Sequence, residues 1–124
     1  MATLAVEGDR LVVRLSPLER VGGLALQPPS APLAKVRALR VSADPWRELR
    51  GMRAPGTGIP RVIALGHRRG PGVHDFAAVY RGRGAVVADL EGPGWTRFVV
   101  SSREPDALAA ELERGGLRRL STPG

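Results

Sequence analysis

The chain contains no cysteine. Disulfide staples, thiolate nucleophiles and zinc–thiolate sites are therefore excluded, and a reducing, cytoplasmic setting suits it. There is no asparagine, one glutamine (Gln27) and one lysine (Lys35), so arginine carries almost all of the positive charge. Aromatic side chains are scarce, at two Phe, two Trp and one Tyr. That leaves little material for a base-stacking platform and disfavours nucleic acid as a ligand. No apolar run nears the roughly 18 residues that a membrane-spanning helix needs. Residues 1–6 lack the basic region and long apolar stretch of a secretory signal.

What is present fits one domain. A chain of 124 residues, 43% hydrophobic and 25% charged, can bury a core without staples. Sixteen glycines and eleven prolines are many, yet they fall between short β-prone runs and so mark turns. Nineteen basic residues against twelve acidic ones give a net charge of +7. Two readings of that excess stand. Arginine in place of lysine fits GC-rich coding of an ordinary surface, whereas the excess itself fits an anionic partner.

Alternation predicts a hairpin at the start, with strands over 3–6 and 10–15 joined at Gly8-Asp9 and with Leu11, Val13 and Leu15 on one face. Ser16-Pro17-Leu18-Glu19 has the form of a capping box opening a turn or two of helix. A proline run at 28–32 is followed by a predicted strand over 33–41, a capped turn at 44–49, and a loop over 50–60. Strands then follow over 61–67, 74–80, 85–91 and 95–101. The last three, joined by tight Gly-containing turns, read as an antiparallel meander. Glu104-Pro105-Asp106 opens a C-terminal helix whose apolar stripe is Leu108, Ala109 and Leu112, and Gly115-Gly116 ends it. The expectation is a mainly β, α+β fold of about seven antiparallel strands, one domain over 1–116, and a flexible tail at 117–124.

Several turn and cap motifs carry a resemblance. The run Arg53-Ala54-Pro55-Gly56-Thr57-Gly58-Ile59-Pro60, then Ala64-Leu65-Gly66, then the meander and the Ser101-Ser102-Arg103-Glu104-Pro105-Asp106 entry to the last helix resemble bacterial pleckstrin-homology-like domains. The match is closest to small actinobacterial forms and covers roughly residues 3–114. Two positions depart from the pattern: Glu104 stands where Asp is usual, and Arg61 where a second glycine often follows Pro60. The resemblance implies a partly open barrel of two orthogonal sheets capped by the C-terminal helix. It also implies a binding or scaffolding module without catalytic residues or cofactor.

The residues offer few alternatives. His67, His74 and Asp75 have a spacing that could hold a metal across a hairpin, but no third strong ligand is near, and structural roles are the simpler reading. No Gly-x-Ser-x-Gly elbow is present. The Gly56-Thr57-Gly58 loop between Arg53 and Arg61 is the best candidate anion cradle, because successive backbone N–H groups in glycine loops can converge on an anion. It lacks the Gly-Lys-Ser/Thr and helix of a P-loop. Arg68-Arg69 and Arg81-Gly82-Arg83 are further basic clusters at predicted turns, and Trp46 and Trp95 are candidate partner contacts. The leading reading is a non-enzymatic protein-interaction module with no cofactor or metal. A homodimer through an edge strand is compatible with it. The alternative is an anion or phospholipid-headgroup binder using Arg53, Arg61 and the glycine loop.

Overall fold

The structure, a computed structural model, describes residues 2–22, 27–59, 63–91 and 93–116. The hairpin forms as predicted: β1 (Thr3–Glu7) pairs antiparallel with β2 (Arg10–Arg14). Gly8 turns the chain at φ 63°, a conformation open cheaply to glycine alone. Alternation sends Leu4, Leu11 and Val13 inward. Helix α1 (Pro17–Gly22) follows. Its capping box is complete, the Glu19 N–H donating to Ser16 Oγ (3.2 Å) and the Ser16 N–H to Glu19 Oε1 (2.9 Å). The proline run still makes a short strand, β3 (Ser30–Pro32), on the outside of β2. At a sheet edge the missing proline N–H costs nothing.

The predicted strand over 33–41 begins instead with a 3₁₀ turn (Leu33–Lys35), and β4 runs Val36–Ser42. The predicted capped turn is a 3₁₀ turn over Pro45–Glu48, but the Asp44 side chain makes no cap hydrogen bond. Its carboxylate pairs with Arg47 Nε at 3.2 Å instead.

A six-stranded sheet holds the rest: β5 (Met52–Ile59), β6 (Ile63–Gly70), β7 (Val73–Tyr80), β8 (Gly84–Leu90) and β9 (Arg97–Ser102) join β4 in the order β4-β8-β9-β7-β6-β5. Two expectations are corrected here. The stretch read as a loop over 50–60 is mostly strand β5. Its Pro55 sits where the register with β6 shifts, between Arg53 and Gly56, and the strand lies at the sheet edge, so the ladder loses nothing to the proline. The meander is also wrong. β9 inserts between β7 and β8, parallel to the first and antiparallel to the second. The physical reason lies in the side chains. Phe76–Val79, Ala85–Ala88 and Phe98–Val100 are apolar on both faces, as suits strands covered on both sides. The described residues thus form nine strands, not about seven, and not all antiparallel.

The inner face of the large sheet packs Phe76, Phe98, Leu39, Val86 and Val100 against Leu4, Leu11 and Val13 of the small sheet. Helix α2 (Pro105–Arg114) closes this core with Leu108, Ala109 and Leu112, the predicted stripe. On the other face, Trp46 and Leu49 cover Ala64, Ala77, Val79, Ala85, Val87 and Val99. No strand pairing joins the two sheets among the described residues, so they form no closed barrel. No helix among them is long and apolar enough to cross a membrane. The predicted tail at 117–124 lies outside the described residues.

Candidate functional site

The predicted anion cradle is not assembled as a loop. Gly56, Thr57 and Gly58 lie within β5, opposite Gly66, Leu65 and Ala64 of β6. In a paired strand, successive N–H groups point alternately to either side and do not converge on one anion. Arg53 lies opposite Arg68, and Arg61 falls outside the described residues. Arg68 and Arg69 belong to β6 rather than to a turn. Arg68 is occupied within the fold, donating from Nε to the Arg50 carbonyl (3.0 Å) and from Nη2 to the Gly51 carbonyl (3.1 Å). Arg69 is exposed, opposite His74. Trp46 is half-buried over the outer apolar face. Arg53, Arg68 and Arg69 thus share one end of the β5–β6 ladder, and Trp46 sits on the 3₁₀ turn over the outer face of the same sheet.

The histidines are part of an aromatic stack. Trp95 lies 4.2 Å from His74 and 5.4 Å from His67, centroid to centroid, with Phe76 edge-on to both His67 and Trp95. Asp75 points to the other face of β7. It is fully buried and takes both ends of the Arg50 guanidinium, at 2.9 and 3.0 Å, together with the Thr96 hydroxyl at 2.5 Å. Those hydrogen bonds hold Arg50 more firmly protonated than an ordinary arginine. A His–Asp relay is therefore not built. Among the described residues no cluster of three or more metal-ligating side chains occurs.

The acids on that outer face, and Glu48 of the 3₁₀ turn that covers it, are matched to arginines. Arg97 Nε meets Asp89 at 2.6 Å, Arg40 meets Glu48 at 2.6 Å, and Arg97 also donates to the Glu48 carbonyl at 2.9 Å. This network spends Asp75, Asp89 and Glu48 internally, and so concentrates the unbalanced positive charge elsewhere on the surface.

One such place is an open cleft of about 550 Å³ lined by Ser16, Leu18, Glu19, Tyr80, Arg81, Arg83 and Arg103. The parallel β7–β9 pairing builds it. Because β9 runs beside β7 in the same direction, both strands end at one rim, which sets Arg103 near Arg81 and Arg83 of the β7–β8 turn. The strands are tied there by the Tyr80 N–H donating to the buried Ser101 hydroxyl at 3.0 Å. None of the three arginines has an ion pair among the described residues. At the floor, Glu19 is buried and accepts from the Tyr80 hydroxyl (2.5 Å) and from the Ala2 N–H (2.7 Å). The lining thus holds three guanidiniums against one carboxylate, with Leu18 and the Tyr80 ring supplying apolar wall.

The cleft offers binding chemistry. The Ser16 hydroxyl accepts from the Glu19 N–H, and both Glu19 oxygens are engaged by internal donors, so no free base stands beside a nucleophile. Sequence reasoning placed Arg81 and Arg83 in a basic turn cluster and offered the Arg-rich loops as a contact surface, but it missed Arg103 and Tyr80. The only local signal was the 16–19 capping box, which located Glu19 without its distant partner. No protein-family model, no curated protein and no solved structure matches the chain.

Proposed function

We propose that the chain is a non-enzymatic binding module that docks an acidic partner protein in the cleft between α1 and the β7–β8 turn. The observation that carries this reading is the convergence of three guanidiniums without ion pairs among the described residues, Arg81 and Arg103 exposed and Arg83 half-buried, on one open cleft, while the arginines of the outer sheet face are matched to acids. Guanidiniums form directional, often bidentate hydrogen bonds with carboxylates and lose less hydration than ammonium groups when a partner covers them. The absence of cysteine supports a cytoplasmic setting. A pleckstrin-homology-like ancestry belongs to the same proposal. The Gly56-to-Pro60 run and the C-terminal helix over the sheet support it, while the parallel β7–β9 pairing departs from a consecutively antiparallel barrel.

The test is fluorescence anisotropy with a labelled glutamate-rich peptide. Binding is expected at about 20 mM salt and weakens toward about 200 mM. It falls about tenfold or more in Arg81→Glu/Arg83→Glu, because reversing two charges at a contact both removes attraction and adds repulsion. Equal binding by the variant would remove the cleft from the function.

A further inference from the structure

Helix α1 is built inside out. Its buried side chain is the carboxylate of Glu19, whereas Leu18 and Val21 stand 85% and 72% exposed. A surface helix ordinarily does the reverse, because burying a carboxylate costs its hydration and an exposed leucine adds nothing to the core. Leu18 and Val21 are three residues apart and so share one face. Among the described residues they are the large hydrophobic side chains left in solvent. Single exposed apolar residues are commonplace. This pair is different in its position, since Leu18 lines the same cleft as Arg81, Arg83 and Arg103. The cleft therefore has an apolar lip on one side and a cationic rim on the other.

We infer that the segment this cleft recognises combines acidic groups with a neighbouring apolar side chain, the acids meeting Arg81, Arg83 and Arg103 and the apolar side chain covering Leu18 and Val21. The inference rests on the reading of the cleft as a binding site, and it names the chemistry that the site selects. Charge complementarity chooses the occupant. A second copy would bring another chain of net charge +7, with the same arginine rim, to this surface. An anionic lipid surface is the competing occupant, which phosphatidylserine vesicles test. An acidic peptide with an apolar anchor satisfies both halves. The apolar contact adds affinity by burial, and the acids give the orientation.

Three labelled peptides of equal length separate the two contributions. The first carries glutamates and leucines, the second has serine for leucine, and the third has glutamine for glutamate. Each is titrated by anisotropy against the full chain and against Leu18→Ser/Val21→Ser and Arg81→Glu/Arg83→Glu, with thermal melts to verify folding. Leu18→Ser alone replaces the pair if the double change lowers the melt. The first peptide is expected to bind about tenfold more tightly than the second, the scale of burying one leucine. Leu18→Ser/Val21→Ser should erase that advantage, so that the first two peptides bind alike. Equal affinity for the first two peptides, with no effect of the Leu18/Val21 changes, overturns the inference but leaves the acidic-partner reading standing. Failure of every glutamate peptide at low salt overturns both, as does undiminished binding of the third. Capture by phosphatidylserine vesicles that needs Leu18 and Val21, without peptide binding, assigns the surface to lipid and overturns the inference as well.

Discussion

Burying the Glu19 carboxylate costs hydration and on its own would raise its pKa. Hydrogen bonds from the Tyr80 hydroxyl, the backbone N–H groups of Ser16 and Ala2, and the Ser16 hydroxyl outweigh that cost and hold it below the ordinary 4.5. A depressed folded-state pKa means the stabilisation is fully present above the unfolded value and is lost as pH falls through the folded one. Thermal melts from about pH 7 to about pH 3 should therefore decline on the acid side. Glu19→Gln, which keeps the shape and removes the charge, should melt lower at neutral pH and decline less steeply. Parallel curves for the two proteins would assign the acid limb to other carboxylates. Tyr80 gives the opposite flank. Burial first, and Glu19 second, push its hydroxyl upward, so its contribution is present below the ordinary 10.0 and lost at higher pH. At this scale the sequence was legible only locally. The Ser16–Glu19 box lies within four residues and could be read directly, but Tyr80 is 61 residues from Glu19 and no local pattern announces it. Asp75 shows the same limit: spacing grouped it with His67 and His74 as a possible metal set, while alternation along β7 turns it to the other face, toward Arg50 and Thr96.

Elements with a strong local signature were legible. The opening hairpin, α1 and α2 formed where alternation, the capping box and the Pro-Asp entry placed them. β5 was not, because Gly56, Gly58 and Pro55 each favour a loop and only pairing with β6 overrides them. Gly51 is where the chain turns into that strand, and it is fixed by more than its own freedom. Its φ is +71°, and a Cβ there would sit 2.6 Å from the Arg69 carbonyl oxygen, with Arg68 bonded to its own carbonyl. Gly72, in the β6–β7 turn, has φ +68° but nothing within 4 Å of the Cβ position. Gly72→Ala should therefore cost about 1 kcal/mol, the strain of a left-handed alanine. Gly51→Ala should cost about 3 kcal/mol, since the backbone of β6 must also move. Urea denaturation of the two variants measures the difference. Equal losses would mean that β5 and β6 give way freely at this corner.

For the whole molecule, the charge excess and the topology have one origin in where the last strand goes. The +7 charge alone suggested nucleic acid or a membrane surface. Its placement is more specific, because acids pair across the outer face while β9, lying beside β7, carries Arg103 to the rim that holds Arg81 and Arg83. The sequence did carry a hint of this order, in apolar runs too continuous for a one-sided meander. What it could not show was which neighbour each strand takes, since the turn at 81–83 suits a hairpin equally well. The consequence for folding is that the middle of the six-stranded sheet is the last strand made. Without residues 97–102, β7 and β8 lose their shared partner, and Phe98 and Val100 leave the core. A fragment ending at residue 94 should therefore show no cooperative thermal transition, where a sheet of consecutive hairpins would keep one. Adding a synthetic peptide of residues 95–116 should restore a transition, because it supplies both the central strand and the helix that closes the core. A cooperative melt from the fragment alone would show that β7 and β8 can pair directly, and the cleft that depends on their separation would then be one of two arrangements open to the chain.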